Sequence, residues 1–195
     1  MIRLLAIIQC LYDDCTPESL IEYAGRVCYR SETNQETRDR FIRRRIEQGH
    51  ESILEHCSAT FEISGISRAC SHQLVRHRLA SFSQESQRYV DMTGAYLVVP
   101  QSVSDNGVAM CEWKKAASAI DAAYTAMVEA GIRREDARFI LPNASSTKLV
   151  MTANFREWLH IFRLRITPEA QWEIRQVCAE IRDVLRQYAP AVFDG

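Results

Sequence analysis

Strand-like and helix-like stretches follow one another in an irregular order along this chain, and that order constrains the fold more than any other feature. Residues 2–9 (Ile-Arg-Leu-Leu-Ala-Ile-Ile-Gln) read as a buried or edge strand, 58–63 alternate enough for a second, and 96–99 and 148–153 read as two more. Helical patterns of unequal length separate them. Thr16-Pro17-Glu18 starts the first helix with a capping hydroxyl, a proline in the first turn and an acid at the positive end of the dipole. Leu20, Ile21, Ala24, Val27 and Cys28 then share one helical face. A second helix spans 35–48, with Phe41, Ile42 and Ile46 inward and Gly49 as its stop. A third spans 67–78. The longest, 108–130, carries the stripe Ala116, Ile120, Ala123, Tyr124 and Met127 and ends at Gly131. A short helix over 133–140 is cut by Pro142, and two more, 154–164 and 169–188, are split by Thr167-Pro168. Regular βαβ alternation is absent, which predicts an α+β fold.

The 195 residues, 47% hydrophobic and 25% charged, suffice for one domain with a substantial core. A net charge of -1 argues against a nucleic-acid partner, so basic residues must act as local clusters. No run approaches the roughly 18 apolar residues of a membrane span, and residues 1–10 lack the marks of a secretory signal. Seven scattered cysteines (10, 15, 28, 57, 70, 111 and 178), none in a Cys-x-x-Cys pair, fit reduced thiols in a cytoplasmic protein, most of them small core residues. The seven glycines never form Gly-x-Gly, so there is no dinucleotide fingerprint and no P-loop.

Any phosphate must therefore be gripped by side chains. Residues 76–89 (Arg-His-Arg-Leu-Ala-Ser-Phe-Ser-Gln-Glu-Ser-Gln-Arg-Tyr) supply bidentate guanidiniums beside neutral hydroxyl and amide donors, which suits a polyanion attached to a heterocycle. Solvated arginines at a helix end are the bland alternative. Gln73, three residues before Arg76, is read as sharing its helix face. Asn154-Phe155-Arg156 opens a later helix with His160 on the same face as Arg156, and Arg163 and Arg165 close it; an ordinary charged surface helix would look the same. Arg138 sits in the apolar run before Phe139-Ile140-Leu141-Pro142, as a paired buried charge, an anion binder or a snorkelling surface residue. His50, Ser52, Glu55 and His56 form a third polar group without the His-Glu-x-x-His or Cys/His spacing of a zinc site, so no metal is expected.

Arg-His-Arg, seven residues, then Ser86-x-Arg88 and Tyr89 resembles the signature of the flavin-dependent thymidylate synthases. The likeness covers nearly the whole chain. It includes His50-Glu51-Ser52 with Glu55-His56, Arg138 before Leu-Pro, Asn154-x-Arg156, His160, Leu164-Arg165 and Ala170-Gln171-Trp172-Glu173-Ile174. Two positions depart from one common version: Gln84 stands where many members have Glu, and His160 where some have Asn.

The resemblance implies a central, mostly antiparallel sheet flanked by long helices, one domain over 1–195, and a homotetramer with active sites at subunit interfaces. It implies FAD held by Ser52, Glu55, Arg76, His77, Arg78, Gln84, Asn154, Arg156 and His160, with His50 close to the flavin ring. It implies dUMP held by Gln73, Arg76, Gln84, Glu85, Ser86, Gln87, Arg88 and Arg138, partly from a neighbouring subunit, with Arg165 on the uracil ring. NADPH and 5,10-methylenetetrahydrofolate are the implied co-substrates, and tetrahydrofolate the product. The residues after the five prolines are Glu18, Gln101, Asn143, Glu169 and Ala191, so no cysteine stands where the classical synthases carry their nucleophile. Ser86 could be drawn as a nucleophile, but no base is evident beside it, and it reads as mainly a binding residue. Two rival readings remain: a nucleic-acid module built on the Arg-His-Arg segment, and a flavin or nucleotide binder without catalysis.

Overall fold

The alternation seen at 58–63 runs further in the computed structural model, which describes residues 1–12 and 14–194. Its four strands are β1 (Ile2–Ile7), β2 (Ser58–Ser67), β3 (Ser81–Gln84) and β4 (Ser146–Asn154). They form an antiparallel sheet in the order β1-β2-β4-β3, and the fold is α+β. β1 pairs with β2 from Ile2 opposite Ile63 to Ile7 opposite Ala59, with a bulge between Leu4 and Ala6. The helices are α1 (Pro17–Val27), α2 (Arg38–Glu47), α3 (Arg68–Leu74), α4 (Gln101–Ser104), α5 (Gly107–Glu129), α6 (Arg134–Ala137), α7 (Phe155–Arg165), α8 (Trp172–Arg186) and α9 (Pro190–Phe193). A 3₁₀ turn, Glu51–His56, joins α2 to β2. No helix among the described residues is long and apolar enough to cross a membrane.

The described residues pack as two compact units. The first holds Met1, 64–73 and 83–149; the second holds 2–63, 74–82 and 150–194. In the second unit the core is aromatic: Trp158 meets Phe61 edge-on at 5.5 Å and stacks on Phe162 at 5.9 Å, and Phe155 meets Phe193 at 5.0 Å. In the first, Met92, Tyr124 and Ala137 form a small buried cluster, and the Tyr124 hydroxyl accepts from the Met92 amide at 3.3 Å.

Four expectations need correction. The buried face of α1 is not the apolar stripe, because Val27 and Cys28 are exposed while Glu18, Ile21, Glu22 and Gly25 are inside. Glu22 can be buried because its carboxylate accepts from Arg26 Nε at 2.7 Å, from Arg38 Nε at 3.1 Å and from the Asn34 amide at 3.1 Å. At Gly25 a Cβ would stand 2.8 Å from the Phe41 ring, so a larger residue there would force that ring to shift. Along α5, Ala116 and Ala123 are exposed; both lie about 80–100° around the helix from Tyr124, the one residue of α5 that is buried. The helix expected over 67–78 stops at Leu74, so Gln73 and Arg76 do not share a helix face. The strand expected at 96–99 is reduced to a single bridge, Leu97 to Ser145.

Candidate active site

In the second unit, α7 presents its two faces to different environments. Phe155, Trp158, Ile161 and Phe162 are buried, which leaves Arg156, His160 and Arg163 exposed on the other side. Asn154 fixes where the helix begins, because its side-chain oxygen accepts from the Glu157 amide at 2.8 Å. The Arg-His-Arg segment follows α3 as a turn, with the His77 amide bonded to the Leu74 carbonyl at 3.1 Å. In this turn His77 is buried while Arg76 and Arg78 are exposed.

These pieces enclose a cleft of about 1050 Å³. It gathers eight expected residues: Glu55, Arg76, His77, Arg78, Asn154, Arg156, His160 and Arg165. It also gathers Glu51, Glu157 and Arg163, which sequence reasoning gave no ligand role. His50 and Ser52 sit on the adjoining 3₁₀ turn, both exposed, and do not line the cleft. Arg163 was legible as a basic helix end, but nothing in the sequence announced that Glu51 would pair with it at 2.6 Å. Arg156 bonds Glu55 at 2.5 Å. Among the described residues, Arg76 and Arg78 make no ion pair, so both guanidiniums are available to an anion.

Within the cleft lining Arg165 Nε donates to His77 Nε2 at 3.1 Å. This bond requires an unprotonated Nε2 and so places the ring proton on Nδ1, which faces Glu157 Oε1 at 3.8 Å. Burial first, then the charges of Arg165 and His160, lowers the His77 pKa to about 4. Burial also raises the Glu157 carboxyl.

The first unit holds the other expected residues: Gln73, Gln84, Glu85, Ser86, Gln87, Arg88 and Arg138. The Gln84 amide donates to Ser71 Oγ at 2.9 Å and Thr147 Oγ1 at 3.2 Å. The Glu85 amide bonds the Lys148 carbonyl at 2.9 Å, and the Arg88 amide donates to Ser86 Oγ at 3.3 Å. Arg88 pairs with Glu135 at 3.1 Å, and half-buried Arg138 donates to the Glu135 carbonyl at 3.1 Å. Arg68, which sequence reading missed, lies near Arg138; burial and then Arg138 lower its pKa.

The buried titratable groups make an acid–base prediction. His77 is held neutral with a pKa of about 4, so folding loses stability as pH falls from about 6.5 to 4. Glu18 accepts the Ala191 amide at 2.6 Å, and burial raises its pKa to about 7. Its contribution has the opposite sign: present below about 4.5, lost as pH rises to 7. Between 4.5 and 6.5 the two oppose each other. In urea melts, His77→Gln should leave stability falling from pH 4.5 to 7, and Glu18→Gln should leave it rising from pH 4 to 6.5.

A cleft lined by several arginines, beside a histidine fixed on a guanidinium, has the donor chemistry that an extended anionic ligand requires. The family model described as "Thymidylate synthase complementing protein" matches residues 10–191. A flavin-dependent thymidylate synthase of Geobacter sulfurreducens is 46% identical over 187 residues, 91% of this chain and 81% of the relative. That of Pyrococcus furiosus is 41% identical over 173 residues (83% and 71%), and that of Mycobacteroides abscessus 39% over 194 (90% and 78%). The chain belongs to the flavin-dependent thymidylate synthase family.

Proposed function

We propose that this chain converts dUMP to dTMP by reductive methylation, taking the carbon from 5,10-methylenetetrahydrofolate and the hydride from FAD reduced by NADPH, and releasing tetrahydrofolate. The observation that carries the reading is the cleft itself, where Arg76 and Arg78, without an ion pair among the described residues, share about 1050 Å³ with Arg165 fixed on neutral His77. The donor set fits FAD. Arg76, Arg78 and Arg156 suit a diphosphate, and Asn154, whose oxygen is committed to the helix start, keeps its NH₂ for a ligand acceptor. When bound, FAD supplies the hydride that turns a methylene carbon into a methyl group.

The protein's part is electrostatic and positional. The Arg165 guanidinium holds a planar donor array, so it stabilises negative charge that develops on the uracil ring as C5 becomes nucleophilic. Neutral His77 fixes that guanidinium without adding a competing charge. Gln73, Gln84, Glu85, Ser86, Gln87, Arg88 and Arg138 hold dUMP; Ser86, whose oxygen already accepts the Arg88 amide, binds rather than attacks. No cysteine nucleophile takes part, in keeping with burial that pushes Cys57 and Cys178 up to about 12. The working form is a cytoplasmic homotetramer whose sites draw on neighbouring subunits, with residues 1–195 acting as one functional domain and His50 and Ser52 completing the flavin contacts.

The test is an absorption spectrum followed by anaerobic NADPH addition with and without dUMP. A flavin spectrum that bleaches, faster with dUMP, is expected, and tetrahydrofolate should then accompany dTMP. A protein that takes up no added FAD would overturn the proposal.

A further inference from the structure

We propose that Glu157 is a positioning residue: by accepting the Nδ1–H of His77 it fixes the imidazole tautomer that holds Arg165. All three side chains line the cleft and belong to one unit. Glu157 stands in the first turn of α7, three residues after the capping Asn154. An acid at that place ordinarily reaches back to the amide of the capping residue. Here, among the described residues, the Glu157 carboxylate makes no hydrogen bond, and its one ion-pair partner is His77, with Oε1 3.8 Å from Nδ1. The two side chains are only 5% and 4% exposed.

Arg165 takes the Nε2 lone pair at 3.1 Å, which leaves the Nδ1–H of a buried ring in need of an acceptor. A buried donor without one is costly, and that cost favours moving the proton to Nε2. There it would meet the Arg165 Nε–H donor to donor, and the guanidinium would lose its anchor. Glu157 removes that alternative. The gap of 3.8 Å exceeds a hydrogen bond by about 0.8 Å, which a small side-chain adjustment or one bridging water closes. Contacts of this kind tighten when a ligand fills the site. The role does not depend on charge, because the carbonyl oxygen of a protonated carboxyl also accepts an N–H. Burial, which raises the Glu157 carboxyl, therefore leaves the role intact.

The test reads the tautomer directly, on the whole protein without added ligand. Long-range ¹H–¹⁵N NMR of ¹⁵N-histidine protein reports which ring nitrogen carries the proton, and His77→Gln assigns the His77 signals among the five histidines. Wild type is expected to carry it on Nδ1. Glu157→Leu, which offers no acceptor and excludes water, should shift the proton toward Nε2 and speed solvent exchange of the Arg165 Nε–H about tenfold. Glu157→Gln keeps an acceptor oxygen and should restore both. If the leucine variant does not fold, Glu157→Met, unbranched and of similar length, takes its place. The consequence for turnover rests on the function proposed above: kcat should fall about tenfold in Glu157→Leu and recover in Glu157→Gln. A wild-type Nε2–H tautomer, or a tautomer and exchange rate that Glu157→Leu leaves unchanged, would overturn the proposal. So would a shifted tautomer with wild-type kcat. A wild-type protein that makes no dTMP would sink the proposed function and leave the tautomer result standing by itself.

Discussion

Arg165→Lys is expected to lower dTMP formation about 100- to 1,000-fold while bound flavin is retained. The expectation comes from the geometry of one bond. Arg165 Nε donates to His77 Nε2 at 3.1 Å, so the guanidinium plane is pinned at one edge and its orientation toward the cleft is set before any ligand arrives. Lysine keeps the charge but offers an ammonium on a flexible stem, with no second edge to hold against a planar ring. Losing an oriented donor at a site where charge develops costs turnover far more than binding. Arg76, Arg78 and Arg156 are untouched by the change, so the flavin spectrum should persist. The check is kcat beside the FAD absorbance of the same sample. A variant with wild-type kcat would remove Arg165 from the chemistry. His77→Gln separates position from charge: its amide can still accept the Nε–H, so its kcat should fall less than that of His77→Ala.

Much of this site was legible before the structure, for physical reasons that differ by residue. Asn154, Arg156 and His160 could be placed because a capping residue and a 3.6-residue period fix both the start of α7 and which side chains share a face. Arg76, His77 and Arg78 were visible as a cluster, yet periodicity alone could not show that α3 stops at Leu74 and that a turn buries His77 between two exposed arginines. Glu51 and Glu157 were invisible as cleft residues, since acids on a short turn and a helix face look like ordinary surface. Glu22 misled the reading of α1 for a related reason: hydrophobic patterning scores a buried carboxylate as exposed, and only the tertiary approach of Arg38 and Asn34 makes its burial affordable. β3 was missed because Ser81–Gln84 is short and polar, without the apolar run that marks a strand. For Glu22 and Glu51 the deciding partners, Arg38 with Asn34 and Arg163, lie twelve or more residues away in sequence.

Trp158→Ala is expected to destabilise the fold by about 3–5 kcal/mol, the usual range for removing a buried tryptophan. Trp158 is fully buried at the centre of the aromatic core, edge-on to Phe61 at 5.5 Å and stacked on Phe162 at 5.9 Å. Its indole N–H donates to the Ala59 carbonyl at 3.4 Å, tying α7 to β2 through the same side chain. Truncation leaves a void whose lining loses dispersion contacts, and it frees a buried carbonyl on β2. For a chain of this size the unfolding midpoint should fall by roughly 6–20 °C. Trp158→Phe keeps most of the ring packing and loses the N–H, so its loss should be clearly smaller. The functional consequence follows from the two faces of α7. Trp158 is not among the residues that line the cleft, yet it anchors the helix that carries Arg156, His160 and Arg163. Below its melting transition, Trp158→Phe should therefore bind FAD nearly as wild type does. If it melts like wild type but loses FAD, the core side chain shapes the cleft directly and the division of α7 into a packing face and a binding face is wrong.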